Sequence, residues 1–217
     1  MLIRYSFVYH TCLLGILSNI SQNNAYSLLV SLVSLAYMKK TVVSILVPLL
    51  AVALYLGGRH LYFKPKFING DPAPNFSGVL PDGSAFELAN LREHYVLLDF
   101  WASWCGPCRQ ENPAMVGLYK EFEHSNFRDA KGFEIVSIGV EKKAEPWKHA
   151  IEKDGLYWPY QLLDVAESTQ FIDSPIAKQF QVREVPTKFL LNPSGLIIAV
   201  NPSPEDIRKL LLERLGK

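Results

Sequence analysis

Residues 95–102, YVLLDFWA, are apolar at every position except Asp99, and two cysteines, Cys105 and Cys108, follow at once. A continuous apolar run of this length does not suit a sheet with one wet face. It reads as a strand buried on both faces, which requires helices packed on either side of the sheet. The next segment supplies one: Met115, Leu118, Tyr119 and Phe122 recur at helical spacing, with Pro113 as a kink. A second buried strand is expected over 133–140 (FEIVSIGV), and a helix around 147–153 closes at Asp154-Gly155, a C-terminal cap signal. The class is therefore α/β, with a mixed central sheet flanked by helices.

Turn residues organise the rest. Pro81-Asp82-Gly83 divides FSGVLPDGSAFELANL into a hairpin that extends the N-terminal side of the domain, and residues 192–195 divide TKFLLNPSGLIIAV into another. Ser174-Pro175 opens a short helix. Ser203 to Asp206 cap a last helix, with Ile207, Leu210, Leu211 and Leu215 as its apolar stripe.

Ahead of this domain lies a different composition. Residues 41–58, TVVSILVPLLAVALYLGG, carry no charge and follow Met38-Lys39-Lys40. A short basic region before an apolar run of that length marks a signal anchor over 38–58, with cleavage near Ala53 as the alternative. Residues 59–69 read as a linker, and the soluble domain is expected over 70–217. Residues 1–37 are a largely apolar leader. Met38 looks like a start, so 1–37 are expected to be an upstream extension, and Cys12 to be absent from the working protein.

Three cysteines in 217 residues exclude a disulfide scaffold, and a net charge of +1 gives no electrostatic footprint for nucleic acid. The chemistry rests on Cys105 and Cys108, separated only by Gly106 and Pro107. Half a zinc site would also present two such cysteines, but zinc needs four ligands, the third cysteine is in the leader and the histidines do not cluster. No metal and no cofactor is expected. Cys105 falls in the first turn of a helix, where unpaired amides and the helix dipole favour a thiolate, the form that attacks a disulfide. Cys108, a turn further on, can resolve the mixed disulfide once it loses its proton. Two carboxyls are candidates for taking it: Asp99 in the buried strand and Glu111 about one turn after Cys108. Glu141, Glu145 and Asp154 alternate with lysines and read as a solvated surface.

Trp104-Cys105-Gly106-Pro107-Cys108, Asp99 in the preceding strand and Val185-Pro186-Thr187 downstream resemble the thioredoxin superfamily over about 70–217. Glu111 after the pair, and the insertion DGLYWPYQLLDV with its helix before the Val-Pro-Thr turn, are similar to the membrane-tethered TlpA and ResA branch. The resemblance implies a thioredoxin-like fold and a thiol–disulfide oxidoreductase that reduces disulfides of extracytoplasmic proteins, notably in cytochrome c maturation. It implies a redox-active Cys105–Cys108 disulfide and a cis Pro186 facing it. Val185 and Thr187, with Trp104, Gly106 and Pro107, would meet the substrate, and Asp99 and Glu111 would share the acid–base work. The partners implied are disulfide-bearing proteins and a membrane thiol donor that re-reduces the pair, with the domain on the periplasmic side of the cell membrane.

Two other functions use related folds. A thiol peroxidase, suggested by APNF (residues 73–76), needs a lone cysteine near a Thr and an Arg, whereas here the cysteines are vicinal. A copper-delivery module carries three residues between its cysteines and a distal His. This chain has two between them, and its last histidine, His149, precedes the Val-Pro-Thr turn.

Overall fold

The computed structural model describes residues 67–167 and 173–216, and before them 27–28, 31–32, 35, 38–40, 42–59 and 61–62. Cys12, residues 1–26 and 63–66 of the expected leader and linker, and 168–172 within the insertion lie outside the described residues. The chain divides into two compact units, Met1–Tyr62 and Phe63–Lys217.

In the first unit, helix α1 spans Met38–Arg59, 22 residues with a mean hydropathy of 2.2. At 1.5 Å per residue that is about 33 Å, long and apolar enough to cross a membrane. Leu46, Leu50 and Leu54 on it are exposed.

The second unit is built on a five-stranded sheet of order β5-β4-β3-β6-β7. Its strands are β3 (His94–Trp101), β4 (Gly132–Glu141), β5 (Tyr160–Val165), β6 (Thr187–Leu191) and β7 (Ile197–Val200). β3 runs parallel to β4, and β4 to β5; β6 is antiparallel to both β3 and β7. A hairpin of β1 (Ser77–Val79) and β2 (Ala85–Glu87) forms a separate two-stranded sheet. The helices are α2 (Gly106–Phe122), α3 (Ala144–Asp154), α4 (Pro175–Gln179) and α5 (Pro204–Leu212).

Local chemistry accounts for these boundaries. Gly155 closes α3 with φ of 67°, a left-handed position that costs glycine nothing. Ser203 and Asp206 cap α5 reciprocally, side chain to backbone in both directions. The insertion turns out to extend the sheet: residues 160–165, read in sequence as part of an insert, are the edge strand β5 paired with β4.

β3 explains how the site is placed. Val96, Leu98 and Phe100 point to one core with Phe180 and Phe189. Tyr95, Leu97 and Trp101 point to the other, with Met115, Leu118 and Phe122 of α2 and Ile207 and Leu211 of α5. Asp99, by alternation, lies on this second face, which also holds both cysteines. The core therefore fixes α2 against β3 and so fixes what stands between them.

Candidate active site

Cys105 is the N-cap of α2, with extended backbone angles, and Gly106 and Pro107 are the first helical residues. Proline suits that position because its missing N–H would be unpaired there. The Cys105 amide donates to the Ala102 carbonyl at 3.1 Å, closing the turn out of β3. The Cys108 amide donates to Cys105 Sγ at 3.2 Å, and the two cysteines form a disulfide. In the reduced protein the same amide and the helix N-terminus would hold a Cys105 thiolate. Cys105 is only 5% exposed against 2% for Cys108, so it meets solvent through a narrow opening. Trp104 beside it is 58% exposed, while Trp101 is buried.

The turn before Cys105 is held from two directions. The Ser103 amide donates to Glu141, and the Ser103 carbonyl accepts from Arg109 at 3.2 Å. Arg109 also forms a two-point ion pair with Asp154, whose carboxylate accepts from Asn112 at 2.6 Å. Burial would push the Asp154 carboxyl up, but Arg109 and Asn112 hold it below the usual carboxylate range. The reading of Glu141 and Asp154 as solvated surface is thus corrected. Glu141 is buried at the end of β4, and Asp154 ties α3 to α2. Glu145 is exposed.

Asp99 sits opposite Ser137 of β4 and Lys188 of β6 in strand register. Burial pushes its carboxyl up to about 6; Lys188 pulls the other way, the Glu111 charge reinforces the rise, and the Ser137 hydroxyl lowers it slightly. Glu111, on α2 and partly exposed, forms an ion pair with Lys188. Asp99, Glu111 and Lys188 therefore make one cluster on the face that holds the cysteines. Lys188 is the member that sequence reasoning missed.

The Val185–Pro186 peptide bond is cis. The turn lies against the disulfide, with the Val185 carbonyl oxygen 3.7 Å from Cys105 Sγ. Val185 and Pro186 are half-buried, and Gly106 and Pro107 are exposed. Thr187 is buried, and its hydroxyl donates to the Glu184 carbonyl at 2.7 Å, so its side chain is turned inward. Among the described residues no group of three or more His, Cys, Asp or Glu could hold a metal ion.

Residues 69–200 match the AhpC/TSA family. The chain is 31% identical over 137 residues to thiol-disulfide oxidoreductase ResA of Bacillus subtilis, covering 63% of this chain and 69% of that one. It resembles the solved thiol-disulfide oxidoreductase from Bacteroides fragilis with a TM-score of 0.57 and 34% identity, over 66% of this chain and 98% of that one. It also resembles a thiol:disulfide interchange protein of the thioredoxin family from Chlorobium tepidum, with a TM-score of 0.52 and 28% identity, over 69% and 99% of the two chains.

Proposed function

Because the chain belongs to the AhpC/TSA family and is a thiol-disulfide oxidoreductase of thioredoxin-like fold, we propose that its Cys105–Cys108 dithiol reduces disulfides of proteins outside the cytoplasm, with cytochrome c maturation as the setting. The observation that carries this is the vicinal pair itself: one sulfur at the N-terminus of α2, joined in a disulfide to a second a turn inward, under the Val185 carbonyl.

In this reading Cys105 attacks the substrate disulfide as a thiolate and Cys108 resolves the mixed disulfide. Asp99 and Glu111 are the acid–base candidates for Cys108, acting directly or through one water molecule. Val185, whose carbonyl lies beside Cys105, offers its backbone to an extended substrate strand. Trp104, Gly106 and Pro107 form the exposed rim that meets it, with Thr187 supporting the turn from within. A membrane thiol donor returns the pair to the dithiol.

The copper and peroxidase alternatives separate from this one in a single set of assays. The reduced full-length protein is expected to reduce a protein disulfide, to turn over peroxide no faster than a simple dithiol, and to lose Cu(I) on dialysis. Peroxide turnover exceeding disulfide reduction would reject the reading.

The anchor proposal rests on α1, uncharged over 41–58 and long enough to span a bilayer. The second unit is assigned to the extracytoplasmic side because a dithiol reductase finds stable protein disulfides there and not in a reducing compartment. A membrane-impermeant maleimide is expected to label Cys105 of the reduced protein in intact spheroplasts. Labelling only after lysis would place the domain inside and overturn the proposal.

A further inference from the structure

Lysine is rarely buried without a partner, and Lys188 is 5% exposed. Its backbone is fixed on both sides by Asn201: the Lys188 amide donates to Asn201 Oδ1 at 2.9 Å, and the Asn201 amide donates to the Lys188 carbonyl at 2.8 Å. Its ammonium is bonded to Glu111 of α2, and its strand position is opposite Asp99 of β3. Two acids and one base thus meet in a largely desolvated place behind the cysteines. Such a site favours one ion pair and leaves the second acid the harder of the two to ionise, so that once ionised it is the stronger base. Glu111 has the direct bond to the ammonium, so it is the paired carboxylate. Asp99 is the deeper of the two acids and is the one left over.

We propose that Lys188 is a positioning residue for disulfide exchange: by clamping the Glu111 carboxylate it leaves Asp99 as the group that takes and returns the proton of Cys108. This rests on Cys105 and Cys108 being the redox pair. With Cys105 joined to a substrate sulfur, the Cys108 thiol gives its proton to the Asp99 carboxylate. The Cys108 sulfur then attacks Cys105. The Cys105–substrate bond breaks, the substrate sulfur leaves with the electron pair, and Asp99 returns the proton to it. The other substrate sulfur left earlier, when the Cys105 thiolate attacked, and took its proton from water. Two electrons pass from the dithiol to the substrate, and no further reactant is needed.

The groups that act on Asp99 are Lys188 from β6, Glu111 from α2 and the Ser137 hydroxyl from β4. Cys108, on α2, lies on the same face of the sheet, and the Asn201 side chain after β7 accepts from the Lys188 amide. The cation eases ionisation of Asp99, and the anion opposes it. Substituting the two therefore moves Asp99 in opposite directions.

The test uses reduced full-length protein carrying Cys12→Ser, in detergent, mixed with dithiobis(nitrobenzoate), which releases one coloured thiolate when Cys105 attacks and a second when Cys108 resolves. The second phase is followed against pH. Lys188→Met is expected to move its midpoint up by about one pH unit and to slow it about tenfold at neutral pH. Glu111→Gln is expected to move the midpoint down, and Lys188→Arg to restore it. A midpoint unmoved in Lys188→Met, or Glu111→Gln slowing the phase as much as Asp99→Asn, overturns the proposal. Should Lys188→Met fail to fold, the direction of the Glu111→Gln shift decides. Release of both thiolates by a Cys108→Ser protein would instead sink the redox-pair reading, whatever the midpoints do.

Discussion

Asp99→Asn is expected to make the oxidised protein more stable at neutral pH while slowing the resolving step. Burial raises the Asp99 carboxyl from 3.8 to about 6 in the folded protein. Between those values the folded chain holds a proton that the unfolded chain has lost. Stability therefore falls as pH rises through this window, and the loss is complete above about pH 6. At about 1.4 kcal/mol for each pH unit, the loss is on the order of 3 kcal/mol. Asparagine is neutral throughout and escapes it. Denaturant unfolding should show the variant more stable than the native protein by about that amount at pH 8, with the difference gone below about pH 4. The resolving step should fall on the order of a hundredfold, because the proton of Cys108 then has no acceptor of suitable strength. A stability difference between variant and native protein that is the same at pH 8 as at pH 4 would mean that Asp99 is ionised without cost. That in turn would remove the reason for assigning it the proton.

This trade of stability for a tuned acid shows what the sequence disclosed and what it hid. Asp99 was legible because a lone carboxylate in the otherwise apolar run 95–102 has nowhere to go but inside. Cys105 at a helix start was legible because a buried strand, a turn with proline and a helical stripe follow one another without a gap. The α/β class followed from the same run, since a strand buried on both faces needs two layers of helices. β5 was hidden because Gln161 and Asp164 interrupt its apolar pattern. Its strand character comes from pairing with β4, which local pattern does not reveal. Glu141 was hidden by Lys142 and Lys143 beside it, although it closes a buried strand and serves the turn before Cys105. Lys188 was hidden for a stronger reason. A lysine two residues after a proline says nothing about burial. Only the register of β6 against β3, 89 residues earlier at Asp99, makes it a neighbour of that carboxyl.

The division of labour between the cysteines is the centre of the account, and covalent trapping measures it directly. Cys105 lies at the helix N-terminus next to exposed Trp104, with an amide donating to its sulfur; Cys108 is the more deeply buried of the two and shares a face with Asp99. In a Cys12→Ser background, reduced full-length Cys108→Ser protein, mixed with a disulfide-bearing protein, should therefore stop at a mixed disulfide through Cys105, seen as a reductant-sensitive band of summed mass. Cys105→Ser should trap almost nothing, and neither variant should turn over. Abundant trapping through Cys108 in the Cys105→Ser protein, or sustained reduction of the substrate by either single-cysteine variant, would contradict the account.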